Sequence, residues 1–156
     1  MSEENKAIVR RIIDEVWAKG KLEVIDELCS NDFVDHDFKA PLGPGKQGFK
    51  NLVMMFRNAM PDLSAKIDVL VSDGERVACR LTFGGTQDGP IFGFPPSHKF
   101  APVPQLSMFH IVDGKVVEMW HNADALGWLH YLGHIPTPGP PPGMKPPPGF
   151  KPPPGR

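Results

Sequence analysis

The architecture is legible from Phe109-His110-Ile111-Val112-Asp113-Gly114-Lys115-Val116-Val117-Glu118-Met119-Trp120-His121-Asn122-Ala123-Asp124-Ala125-Leu126-Gly127. Asp113-Gly114 is a hairpin signal, because the central residues of a type I′ turn need the left-handed backbone that Asp and Gly tolerate. Apolar residues alternate on either side of it, so Val103–Val112 and Lys115–Asn122 read as the two arms of a hairpin. The alternation then stops. Asp124 stands before Ala-Leu-Gly-Trp-Leu, which predicts a closing helix over Asp124–Leu132 with Leu126 and Leu129 inward.

Upstream the period-2 pattern continues. Leu63–Val71 reads as a strand with Ala65, Ile67 and Val69 on one side, and Ser72-Asp73-Gly74-Glu75 turns it into a returning strand over Arg76–Gly84. Gln87–Pro96 is a long Gly- and Pro-rich loop. Further back the period is helical. Glu3–Ala18 carries Ile8, Ile12, Ile13, Val16 and Trp17 on one face, with Ser2 as a cap and Glu3 and Glu4 in the favourable first turn. A short helix over Leu22–Leu28 and an extended piece, Phe33-Val34-Asp35-His36, follow. Lys46–Met60 is the third helix, with Phe49, Leu52, Val53, Phe56 and Met60 on its apolar side and Pro61 ending it. Helices first and antiparallel strands after them make an α+β domain. Such a curved sheet over helices encloses an apolar pocket against its concave face.

The chain has 156 residues, enough for one domain with a sizeable core. With 17 basic and 18 acidic residues its net charge is −1, so no field draws it to nucleic acid or an anionic membrane. No stretch approaches a membrane span, and the charged, amphipathic N-terminus has no signal-peptide core, so a cytoplasmic location is expected. Cys29 and Cys79 lie in no metal-ligand spacing and read as two reduced thiols. No HExxH or GxSxG is present, so neither a metal site nor a serine nucleophile is expected. The division of the chain is a folded body over residues 1–134 and a proline-rich tail over 135–156. PPPGMK and PPPGFK repeat in that tail, and the expectation is an extended, polyproline II-like segment that suits a proline-recognising partner.

Four segments in order, NKAIVRRIIDEVWAKGKLEVIDELCSNDFVDHDF, GPGKQGFKNLVMMFRNAMPDL, GFPPSHK and FHIVDGKVVEMWHNADALGWLHYLG, resemble the SnoaL-like polyketide cyclase (ester cyclase) family over about Asn5–Gly133. The resemblance implies the cone-shaped α+β barrel shared with ketosteroid isomerase. It implies aldol-type ring closure of a polyketide ester without metal or organic cofactor, on a small apolar or aromatic carbonyl substrate, and a homo-oligomer. The chain departs from the family where Gln87-Asp88 follow Gly84-Gly85-Thr86, a place where relatives carry a histidine, and its only tyrosine is Tyr131. The competing function is a non-catalytic small-molecule-binding or dimeric scaffold protein whose tail docks a partner.

Asp124 matches the family's acid/base aspartate, and a carboxylate in an apolar pocket gains basicity by desolvation. It also stands where a helix N-cap belongs. His110 is the second candidate, as the family's carbonyl-polarising histidine. Its face depends on the turn: a two-residue turn with a regular ladder puts it opposite Asp124's side, whereas a three-residue turn with Gly114 left-handed puts it on the side of Trp120, Asn122 and Asp124. His36 could donate to a substrate oxygen or be structural. Trp17, Phe33, Phe56 and Trp120 could wall a flat ligand or simply pack the core. Alternation sends Trp120 and His121 to opposite faces, so one of the two lines the pocket.

Overall fold

The computed structural model describes residues 2–37, 41–136, 139–149 and 151. Among the described residues four α-helices, α1 (Ser2–Arg11), α2 (Glu23–Leu28), α3 (Gly45–Ala59) and α4 (Ala125–Leu132), accompany five strands: β1 (Cys29–Asp35), β2 (Ser64–Asp73), β3 (Arg76–Thr86), β4 (Phe100–Val112) and β5 (Lys115–Ala123). The strands form one curved, unclosed sheet in the order β1-β5-β4-β3-β2. The fold is α+β, with the helices on the concave face. Ladders β2–β3, β3–β4 and β4–β5 are antiparallel, but β1 runs parallel to β5, so the sheet is mixed.

The first helical stretch changes character midway. α1 passes into a π-helical turn over Ile12–Trp17, whose wider winding buries Ile12, Ile13, Val16 and Trp17 together. Its end is held from outside: the Arg57 guanidinium donates from Nη1 to the carbonyls of Trp17 and Ala18, both at 2.9 Å. That satisfies carbonyls a helix end leaves orphaned. The arginine lies across Gly20, where a Cβ would stand 2.6 Å from Nε and where φ is +72°. The positive φ favours glycine there, and a larger residue would also displace the arginine.

Of the two turns left open, Asp113-Gly114 forms the two-residue one, with φ of +48° and +73°, and pairs Val112 with Lys115. The ladder does not then run regularly. Ile111 faces Val116, and His110 faces Glu118, so Val117 is bulged out. A second bulge at Asp68 separates Ile67↔Leu81 from Val69↔Arg80. It turns Val69 outward, where it is 53% exposed, instead of inward with Ala65 and Ile67. In α4 the inward residues are Trp128 and Leu132, spaced i and i+4, with Leu129 partly buried. Leu126 is 62% exposed rather than inward, because it lies two residues from Trp128 and so points nearly the opposite way round the helix.

Both cysteines are free and buried, and desolvation pushes each thiol up to about 12. Among the described residues no helix is long and apolar enough to cross a membrane. Most of the tail's described part is irregular, but it is not simply extended. Turns recur at Gly143 and Gly149, both at φ +85°, and the Met144 N–H bonds the Pro141 carbonyl at 3.0 Å. Pro followed by Gly suits a turn that needs positive φ at its third residue. The last residues of the predicted tail lie outside the described ones.

Candidate active site

The concave face and the helices enclose an apolar pocket. Trp17, Leu52 and Phe56 form its helical side, Phe83 and Val103 its floor, and Trp128 of α4 one end. Trp17 centres an aromatic cluster, 5.1 Å from Phe83 and 6.0 Å edge-on to Phe56. Gly85 forms bare floor, since a Cβ there would stand 2.9 Å from the Met60 Cβ. The 87–99 loop crosses the mouth with half-exposed Phe92, edge-on to Phe56 at 5.7 Å. Gln87, wholly buried, holds that loop: its amide donates to the carbonyls of Gly89 and Pro95, and its Oε1 accepts from His134 Nε2 at 2.7 Å. The departure from the family at this position is therefore a structural clamp.

Two lining side chains, Gln105 and His121, carry strongly polar ends into this wall. Gln105 Nε2 donates to Ser107 Oγ at 2.8 Å. His121 is 8% exposed and its Nε2 lies 3.1 and 3.2 Å from the two carboxylate oxygens of Asp35, itself 8% exposed. Since a carboxylate only accepts, Nε2 carries the proton, and in the neutral imidazole the lone pair sits on Nδ1. β1 and β5 bring the two residues together by their parallel pairing, Asp35 opposite Met119. Asp37 completes the frame: its Oδ2 accepts the His121 backbone N–H at 2.5 Å, while its own N–H binds Asp35 Oδ1 at 3.0 Å.

Asp35, Asp37 and His121 offer donor atoms within 4.8 Å of one another, a grouping no short spacing in the sequence reveals. Asp35 Oδ1 and Oδ2, Asp37 Oδ2 and His121 Nε2 take part in the hydrogen bonds just described, with Nε2 facing Asp35 as a donor. The arrangement is that of an oriented imidazole.

The expected site residues fall in different places. Trp17 and Phe56 line the pocket. Phe33 is buried against Phe49, 5.8 Å between rings, beside a separate cleft near Gly43–Gly45. Asp124 is exposed and caps α4, its Oδ1 accepting the Gly127 N–H at 2.9 Å. It lies between the lining residues Ala123 and Ala125, at the pocket's rim.

His110, His36 and Trp120 are on the outer face. The turn is the two-residue one, but the Val117 bulge moves His110 to the side of Trp120, and that side faces away from the pocket. His110 Nδ1 bonds Glu118 Oε2 at 2.8 Å and its Nε2 bonds Glu75 Oε2 at 3.2 Å, which raises its pKa above the usual 6.5. His36 Nε2 bonds Glu118 Oε1 at 3.1 Å and its ring stacks flat on Trp120 at 4.6 Å. Accepting from both histidines holds Glu118 below its usual 4.5.

The sequence-based reading did not select His121, which lines the pocket, or Asp35, which stands behind it and lines the neighbouring cleft. Alternation carried part of the signal: Asp35 shares the inward face of Phe33, and His121 opposes Trp120. What was missing is the contact itself, 86 residues apart in the chain.

Known structures are similar to this chain in overall fold. An assigned polyketide cyclase of Bacillus cereus ATCC 10987 is 29% identical, with 85% of this chain and 82% of that one covered at a TM-score of 0.74. An assigned SnoaL-like polyketide cyclase of Jannaschia sp. CCS1 is 26% identical over 86% and 95%, TM-score 0.76. TsrD of Streptomyces laurentii is 25% identical over 85% and 97%, TM-score 0.78. No curated protein matches. The sequence profile of the SnoaL-like polyketide cyclase family matches residues 7–132, nearly the whole folded body, and the chain belongs to that family.

Proposed function

We propose that this domain is a cofactor-independent cyclase that closes a ring in a polyketide ester by intramolecular aldol chemistry, with His121 as the acid/base group. The observation that carries the reading is a single imidazole in a largely apolar wall, backed by a buried carboxylate. The family match and the cyclase names of similar structures support the reaction class. His121 takes a proton from a substrate carbon flanked by carbonyls, and the electron pair left behind delocalises as an enolate. The enolate carbon attacks another carbonyl carbon of the same molecule. One C–C bond forms, and the displaced π pair moves onto that carbonyl's oxygen. The imidazolium returns the proton to this oxygen. Nothing is oxidised or reduced. Asp35 holds the ring and stabilises the imidazolium between the two transfers, and the apolar walls keep water from quenching the enolate.

The test follows ring closure of anthraquinone-type polyketide methyl esters by absorbance and mass. His121→Asn should lose about 10²- to 10⁴-fold in kcat, the usual share of a positioned acid/base group. Asp124→Asn should retain most of it. If instead Asp124→Asn alone abolishes turnover, the acid/base role belongs to the rim carboxylate. Binding without turnover by the wild type would make the pocket a ligand-binding site and overturn the enzymatic reading.

A further inference from the structure

Trp128 is the pocket residue whose polar end remains unexplained. Its side chain is 3% exposed and lines the end of the pocket, yet its indole N–H is buried with no acceptor among the described residues. Buried donors are nearly always paired, so an orphan asks for a cause. Ser30 Oγ, the other such atom, lies on β1 away from the pocket. Trp128 cannot readily swing out. α4 is pinned at its start by the Asp124 cap and at its end by left-handed Gly133 (φ +81°), and the indole packs 6.3 Å from Phe56.

We propose that the Trp128 indole N–H is the anchor for a ligand carbonyl, fixing the orientation of a flat ketone or ester in the pocket. An indole N–H donates only, so it selects an oxygen acceptor on an apolar body and rejects a ligand that presents an amine or ammonium there. This places a neutral donor on α4 and the imidazole of His121 on β5, two polar points on different walls. A ligand held by one carbonyl at Trp128 presents its remainder toward the other. The N–H is closed to solvent, so the wall must give slightly on binding. Met60, an unbranched thioether in that wall, is suited to it. The inference rests on the pocket being the substrate site.

The experiment titrates 1-tetralone and tetralin, which differ by the carbonyl alone, into the wild type and Trp128→Phe, followed by two-dimensional ¹H–¹⁵N spectra. In the wild type the Trp128 indole resonance should move downfield with tetralone and stay with tetralin. Trp128→Phe should weaken tetralone about tenfold, the worth of one hydrogen bond, and leave tetralin within about twofold. The wild-type indole shift requires no variant, so a poorly folded Trp128→Phe does not remove the test. Tetralone binding that leaves the indole resonance in place, or an equal loss for both probes, overturns the anchor while the pocket stands. Binding of neither probe overturns both.

Discussion

The two faces of the sheet carry similar residues with opposite consequences. Outside, His110 and His36 share Glu118, with Glu75, Trp120 and Arg76 around them. Inside, His121 meets Asp35 within an apolar wall. The outer carboxylates are solvated, so their pairs with histidine are screened and weak. The inner pair is closed from water, where the same contacts orient a proton donor. Chemistry here follows from the face a side chain occupies, and one bulged residue, Val117, sets that face for everything between His110 and the end of β5. Without the bulge Trp120 would point into the pocket and His121 out of it.

The sharpest break between the faces is kinetic. His110→Asn should leave ring closure within a few-fold of wild type, against the loss of at least about 10²-fold expected for His121→Asn. Equal losses would erase the distinction. Stability should divide the faces next. Phe109→Ala opens a hole on the inner face of β4 and should cost about 3–5 kcal/mol by urea denaturation, whereas Leu106→Ala, three residues away and 60% exposed, should cost less than about 0.5 kcal/mol. Third, Asp124→Ala should cost about 1 kcal/mol through loss of the α4 cap, read by the same denaturation, while Asp124→Asn, still a capping residue, should cost little.

The smallest effect belongs to the outer cluster and is read by pH. The His110 pKa is raised in the folded state, so its contribution is full below 6.5 and fades as pH rises through the elevated value. The Glu118 pKa is lowered, so its contribution is full above 4.5 and fades as pH falls through the depressed value. The cluster thus stabilises most between those two pH values. Tm should decline slightly on going from about pH 6 to pH 8 in the wild type, and Glu118→Gln should flatten that decline.

Local chemistry was readable and non-local geometry was not. Asp113-Gly114, the Pro61 stop and the Asp124 start announce themselves, because turns and caps are chosen by the residues within them. The order of helices and strands follows from periodicity. The bulges at Val117 and Asp68 do not: valine is an ordinary strand residue, and an aspartate, though uncommon in strands, also suits a regular exposed position, so the faces of His110 and Val69 were beyond reach. The parallel β1–β5 ladder was equally hidden, and the Asp35–His121 pair with it. Asp124 shows the converse: its sequence context supports two roles, and the fold shows the cap directly.

That β1–β5 ladder has a consequence for how the chain is made. Of the five described strands β1 is made first, and its partner among them, β5, is made last. Closing so long a loop is entropically slow. During synthesis β1 therefore waits with Cys29 and Phe33 unburied by any neighbouring strand, and the Asp35–His121 contact comes into being only when the sheet is finished. A chain stalled before β5 holds Asp35 without His121, one half of the pair.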